Sequence, residues 1–588
     1  MKFDPTKMKG WQIAEAAEQT MKPVILLGRE LGLKDDEILP MGQQLARVDF
    51  TRAMARLKGG RNTAKYIDVT AITPTPLGEG KTTTVIGLIE GLSTLGKSVT
   101  GAIRQPSAGP TFNIKGTAAG GGLAQCIPLV PFAIRLTGDI DHITNAHNLA
   151  MVALTARMQH ERNYDDQRLA KSGIRRLNID PKRVQIKWVM DFCAQSLRNI
   201  IVGKGTAMDG YRMESGFAIS SSSELMAILA VSKDLKDLRS RIAKMVVAYD
   251  KTGNEITTAD LEVDGAMAAW MLDTINPTLV QTLEGQPVFV HAGPFANIAI
   301  GQSSIIADLL AAKLSEYHIT ESGFGSDIGY EKFWNLKCRI SGLKPDAVVI
   351  VTTVRALKMH GGGPTVKPGA PLSEEYTKEH LELLEKGCEN LIAHIEIVKK
   401  SGVRPVVCIN RFLTDTPAEI AIIRRVAEQN GVMAACSEHW LKGGAGAVEL
   451  AEKVIASCEE KKEFRFLYEP DMPLRKQIEL IATGIYGASG VTYSPKALKK
   501  AKALEADSQS VHLGTCMVKT QLSLSHDPNM KGRPRNWQLP IHDFMVYKGA
   551  GFIVPVAGDI QLMPGTASNP AFRRIDIDVD TRKVTGLF

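Results

Sequence analysis

The run Thr75-Pro76-Leu77-Gly78-Glu79-Gly80-Lys81-Thr82-Thr83-Thr84 carries the strongest chemical signal in this chain. Glycines let backbone amides turn inward around phosphate oxygens, and a helix starting just after them adds a favourable dipole. A lysine in this place neutralises β- and γ-phosphates, and the hydroxyl that follows it reaches Mg2+. The expected ATP-binding residues are therefore Thr75, Gly78, Glu79, Gly80, Lys81, Thr82, Thr83 and Thr84, with Thr82 also a metal ligand. Thr75 stands where the usual pattern has a glycine. The competing reading is an ordinary glycine turn. It is outweighed because strand, loop, Gly-Lys-Thr and helix signals occur in order.

Other residues carry weaker signals. Arg104, in Arg104-Gln105-Pro106-Ser107, follows an apolar run, and its guanidinium fork suits a phosphate or an acyl phosphate. A surface arginine beside a proline turn fits that spacing equally well. Gly120-Gly121-Gly122 suits either close backbone approach to a ligand or a hinge. Asp139, in Leu136-Thr137-Gly138-Asp139, either places a carboxylate near the site or makes an Asx turn. Phe412 and Trp440 each follow an apolar run, where a flat heterocycle could stack between them; on the residues alone, core packing is the better reading. The twelve histidines form no metal-ligand spacing, and no Gly-x-Ser-x-Gly elbow supports hydrolase chemistry.

These groups need a scaffold. Residues 65–72 form a buried strand that ends at two prolines, and Thr82 to Leu95 has helical spacing closed by Gly96. Residues 98–103 form the next strand, which completes a strand–loop–helix–strand unit of a parallel sheet. Further apolar strands are expected at 288–290, 347–351, 406–409 and 432–436. In such sheets ligands gather at strand C-termini, so Lys81, Arg104, His291, Arg355 and Asn410 are expected to converge in one crevice. Residues 1–60 have the composition of a helical lead-in. The Gly/Pro-rich stretch from His360 to Pro371 marks a candidate boundary. The expected division is 1–64, a helical segment; 65–365, the nucleotide-binding unit; 366–495, a second α/β unit; and 496–588, a small α/β unit.

Bulk properties narrow the class. The 588 residues are 44% hydrophobic and 23% charged, which excludes disorder. The net charge of +8 is a mild excess spread along the chain; it suits small anionic substrates and gives no support for nucleic acid. Eight cysteines without a Cys-x-x-Cys pair point to buried thiols in a reducing cytoplasm. No apolar run reaches the length of a membrane span, and no signal peptide is expected.

Taken together, the segments resemble formate–tetrahydrofolate ligase over nearly the whole chain. The likeness rests on TPTPLGEGKTTT at 73–84, RQPSAGPTF at 104–112, the glycine run at 118–122, LTGD at 136–139 and TLEGQPVFVHAGPFANIA at 282–299. It continues with ESGFGSDIGYEKF at 321–333, VRALKMHGGGPTV at 354–366, TDT at 414–416, HWLKGGAGA at 439–447 and KTQLSLSHDP at 519–528. The RQPS form and the longer loop after His360 look more like the eukaryotic synthetase domain than the shorter bacterial enzyme. The resemblance implies a P-loop NTPase-like, mostly parallel α/β sheet with helices on both faces and smaller additional domains. It implies ligation of formate to tetrahydrofolate with ATP and Mg2+, through formyl phosphate, helped by a monovalent cation (K+ or NH4+), in a homo-oligomer, dimer or tetramer. By resemblance Lys81 and Arg104 are catalytic, and Arg104, Asp139, Phe412 and Trp440 bind substrate, the two aromatics sandwiching the folate ring.

The chain departs from the family pattern at Thr117, Leu123, Val130, Pro131, Arg135 and Ile300, in Cys193-Ala194-Gln195-Ser196, at Ala218, and in Thr566-Ala567-Ser568-Asn569. A site built around a polar substrate group discriminates strongly by it, so lost polar residues matter where they line the pocket. Two alternatives follow: a paralogue that activates another carboxylate or uses another acceptor, and a nucleotide-binding partner without catalysis.

Overall fold

The computed structural model describes residues 3–60, 64–113, 118–134, 138–295, 298, 300–367, 370–558 and 560–587. One sheet of twelve strands organises them. Its members are β1 (Ile38–Pro40), β2 (Ala46–Val48), β3 (Lys65–Ala71), β4 (Val99–Ile103), β5 (Gly120–Gly121), β6 (Ala124–Ile127), β7 (Thr278–Thr282), β8 (Pro287–Val290), β9 (Tyr317–Glu321), β10 (Ala347–Thr352), β11 (Pro405–Asn410) and β12 (Met433–Ser437). The order is β1-β2-β7-β8-β4-β9-β3-β10-β11-β12, with β6 beside β7 and β5 beside β6. Neighbours from β8 to β12 are all parallel. The β1, β2, β7 edge is antiparallel.

The sequence explains the centre of this sheet. Apolar residues on both faces suit a parallel strand covered by helices on each side. On β3, Ile67, Val69 and Ala71 enter one buried cluster while Tyr66 enters another across the sheet. Helices lie on both sides. Helix α1 spans Gly10–Glu18, α2 Val24–Glu30, α3 Phe50–Leu57, α4 Lys81–Thr94, α5 Asp139–Asn163, α6 Val354–His360 and α7 Leu381–Lys400. Helix α4 is apolar nearly all round, with Val85, Ile86, Leu88, Ile89 and Leu92 fully buried, as an interior helix must be. Strand β9 lies between β3 and β4, so the expected strand–loop–helix–strand unit is a crossover that skips one strand.

The sheet runs through two of the expected divisions. Strands β1 and β2 extend its edge, where Arg47 pairs with Thr278, so residues 1–64 are not purely helical. Three-residue strands are too short to show alternation. Strands β10 and β11 pair across 365/366, with Val351 opposite Cys408. A Gly/Pro-rich stretch marks a break in local structure; here the hydrogen-bonded ladder continues past it. The division at 495/496 is likewise spanned by a parallel pair, Gly490–Tyr493 with Gln538–Ile541. Leu539, Ile541 and Phe544 share one buried cluster with Ile350 and Ile409 of the sheet.

Candidate active site

The C-terminal ends of the parallel strands share one edge, and the loops that leave them hold most of the predicted groups. After β3 the chain turns at Gly78 (φ 80°) and Gly80 (φ 75°), left-handed conformations that favour glycine. Thr75 is not among the positive-φ residues, so a side chain is tolerated where the usual pattern has glycine. The first turn of α4 leaves N–H groups without intrahelical partners, at the positive end of the helix dipole. Lys81 is its first residue.

The loop is held from behind. The Thr75 N–H donates to Glu79 Oε1 at 2.7 Å, and Thr353 donates to Glu79 Oε2. Asn410 Nδ2 donates to Glu79 O at 3.0 Å, and Arg355 Nη2 to Gly78 O at 3.2 Å. Glu79 is thus a buried brace of the loop, its two carboxylate oxygens held by Thr75 and Thr353. Thr84, expected at the ATP, lies in the interior of the first turn of α4. Its N–H and hydroxyl both donate to Gly80 O, and it is fully buried against the His439 ring. Thr75 also serves the loop's interior, accepting from Leu77 N–H at 3.2 Å. Thr82 faces the other way, where its hydroxyl donates to Glu321 Oε2 at 2.7 Å.

Glu321 ends β9, between the P-loop strand and the strand that delivers Arg104. Its Oε1 accepts from Arg104 Nε at 3.2 Å. One carboxylate therefore joins the P-loop threonine to the arginine. Sequence reading missed Glu321, because Tyr317-His318-Ile319-Thr320 before it is not an apolar run and nothing local marks the glutamate. The backbone past β9 and β8 is unusual too: Phe324 (φ 60°) and Ala292 (φ 53°) take left-handed conformations without being glycine, which clusters at functional sites.

Phe412 and Trp440 follow β11 and β12, which are neighbours. They are 38% and 37% exposed, so they are not core aromatics. Arg355 lies over the Phe412 ring, 4.8 Å from its centroid, and Asp415 Oδ2 accepts from Phe412 N–H at 2.8 Å. Burial pushes the Asp415 carboxyl up to about 6. A Cβ on Gly121 would lie 3.7 Å from Trp440 Nε1, and one on Gly122 would strike Trp440 Cδ1 at 2.7 Å. The glycine run thus permits close approach to an aromatic side chain.

Two predicted residues lie elsewhere. Asp139 is fully buried: its N–H donates to Gln105 Oε1 at 3.1 Å and its Oδ2 accepts from Ala292 N–H at 3.0 Å. It ties the ends of β4 and β8 together. His291 is buried between Ser304 and Thr274 O, and burial lowers its pKa. It is a structural histidine.

The departures from the family pattern also find places. Ile300 lies in the largest buried cluster. The Gln195 side chain accepts from Thr566 N–H at 2.9 Å, and Thr566 Oγ1 donates to Cys193 O at 2.7 Å, so two changed segments contact each other. Leu123 is the exception, since its N–H donates to Trp440 O at 2.9 Å. Thr117 and Arg135, like Leu136 and Thr137, lie outside the described residues. None of the eight cysteines is in a disulfide, and six are buried.

The fold and its glycine loop define an α/β protein of the P-loop nucleotide-binding class. A family model for formate–tetrahydrofolate ligase matches residues 8–588, and the chain belongs to that family of ligases. It is 64% identical to a formate–tetrahydrofolate ligase of Dehalococcoides mccartyi strain CBDB1, across all of this chain and 98% of the relative. It is 62% identical to one of Desulforapulum autotrophicum and 59% identical to one of Syntrophobacter fumaroxidans, each over the full length of both chains. Among the described residues no helix is long and apolar enough to cross a membrane.

Proposed function

We propose that this ligase joins formate to tetrahydrofolate, giving 10-formyltetrahydrofolate, ADP and phosphate through formyl phosphate. The observation that carries the reading is the Thr82–Glu321–Arg104 row, which links the P-loop to an oxyanion-binding arginine by one carboxylate. Formate resists nucleophilic attack because its carboxylate is a poor electrophile. Attack by a formate oxygen on the γ-phosphorus breaks the bond to ADP and gives a mixed anhydride with a good leaving group. The folate amine then attacks the carbonyl and loses its proton, and phosphate departs.

Lys81 and the first amides of α4 hold the β- and γ-phosphates. Arg104, fixed at Nε, presents its planar fork to the acyl phosphate. Thr82 and Glu321 offer the hard oxygen donors that Mg2+ takes, so the residues present fit a metal carried in with ATP. Phe412 and Trp440 flank the folate ring, and their half-exposed faces on neighbouring loops support this.

ADP release with ATP and Mg2+ tests the reading, with formate and tetrahydrofolate present together and each omitted in turn. Release that requires both, with 10-formyltetrahydrofolate formed, is expected. Release indifferent to formate would favour a changed substrate, for which Leu123 beside Trp440 is the one specific observation. Lys81→Ala is expected to abolish turnover in a folded protein.

A further inference from the structure

Three segments that carry the family resemblance have no part in the chemistry above: residues 321–333 beyond Glu321, the end of 354–366, and 519–528. Ser326 of the first and His360 of the second join one buried polar knot under Thr73, where the β3 strand turns into the nucleotide loop, and Lys519 of the third lies beside it. Pro74 and Pro76 have no N–H, so backbone pairing cannot hold this stretch. Side chains hold it instead, at every polar atom of Thr73. Its N–H donates to Asn390 Oδ1 at 3.2 Å. Its carbonyl lies 2.9 Å from His360 Nε2. Its Oγ1 accepts from Asn390 Nδ2 at 3.0 Å and lies 3.0 Å from His394 Nε2, whose Nδ1 meets Ser326 Oγ at 2.6 Å.

Asn390 and His360 also grip the backbone of Gly532 on both sides. Asn390 Nδ2 donates to Gly532 O at 2.8 Å, and Gly532 N–H donates to His360 Nδ1 at 3.2 Å. His360 must then be neutral with its proton on Nε2, the only form that donates to Thr73 and accepts from Gly532 together. Beside this knot Lys519 Nζ donates to Asp327 Oδ2 and to Ser523 O, each at 2.6 Å. Thr73, Asn390 and His394 are fully buried, and His360, Asp327 and Lys519 nearly so. Partners this dry are costly to leave unmade, so displacing one end of the knot must disturb the other.

We propose that Asn390 and His360 are positioning residues that set the nucleotide loop through Thr73 and make its geometry answer to segment 519–532. The inference rests on the reading of residues 75–83 as the ATP loop. Coupling of this kind is reciprocal: if the segment sets the loop, bound nucleotide must steady the segment.

The test is amide hydrogen exchange of the full chain, with and without a non-hydrolysable ATP analogue, joined to kinetics of Thr73→Val and Thr73→Ser. The analogue is expected to slow exchange in 519–532 at least several-fold. Thr73→Val, which keeps the shape and removes the hydroxyl, is expected to raise the ATP KM about tenfold and leave the folate KM unchanged. Thr73→Ser is expected to restore it. Exchange in 519–532 that ignores bound analogue overturns the proposal, as does a Thr73→Val protein that loses ATP and folate affinity alike. If Thr73→Val does not fold, the exchange arm decides alone. Failure of the wild-type protein to bind the analogue would overturn the ATP-loop reading itself, and it shows before any variant is made.

Discussion

At the residue scale, the site turns on Glu321, which holds Thr82 with one oxygen and Arg104 with the other. Glu321→Gln keeps the shape but removes the charge that orients the guanidinium. We expect kcat to fall at least tenfold, on the order of one charge-assisted hydrogen bond, with the folate KM unchanged. Steady-state kinetics check this; an unaltered kcat would remove Glu321 from the site. Trp440→Ala is expected to raise the folate KM roughly three- to tenfold, the size of a lost aromatic stacking contact, and to leave the ATP KM alone. Equal losses for both substrates would count against stacking. Residue type and spacing pointed to Lys81 and Thr82, whereas Arg104 and Trp440 were picked out only by the family resemblance. Glu321 was not legible, because an isolated glutamate acquires meaning only from its neighbours on β3 and β4.

At the element scale, α4 is both the helix proposed to hold phosphate and the surface on which the Trp440 loop rests. Gly87 and Gly91 make that possible: a Cβ on Gly87 would drive into the His439 side chain, and one on Gly91 would meet Ala447 Cβ at 2.9 Å. Helix propensity alone favours Gly87→Ala by about 1 kcal/mol. Overpacking costs about 1–3 kcal/mol, so the clash wins. The expected outcome is a net loss of thermal stability together with a raised folate KM, read by a melting curve and kinetics. A stabilised variant would show that the 439–447 loop moves away freely. The helix and its glycine loop were readable from spacing and caps. The lead-in was read as helical; it also holds β1 and β2, which pair with each other, and β2 joins the sheet only through β7, more than two hundred positions away.

At the scale of the whole molecule, burial sets an unusual pattern of protonation. Burial holds His147, His360, His394 and His439 down at about 4, and pushes Asp68 and Glu224 up to about 8. The signs are opposite. For the histidines the unfolded chain takes up protons first, so stability is lost as pH falls from the usual histidine range toward about 4. A carboxyl raised in the folded state gives stability that is complete below the usual carboxylate range and lost as pH rises through about 8. Glu224 accepts from Gly549 and Ala550 N–H, the turn that ties the C-terminal part to the core. Glu224→Gln is therefore expected to flatten the fall in melting temperature between about pH 5 and 8. An unchanged slope would mean that Glu224 does not titrate there.

The sequence by itself determined the class of fold, the P-loop and its helix, the central strands and the family, because these depend on local periodicity, glycine placement and contiguous motifs. Tertiary structure alone decided which polar residues meet. It buried Asp139, His291 and Thr84, set Glu321 between Thr82 and Arg104, and joined Gly532 to Thr73 across more than four hundred residues. The physical reason is that a parallel sheet brings distant strand ends to one edge, and its strand order appears in no local pattern of the chain.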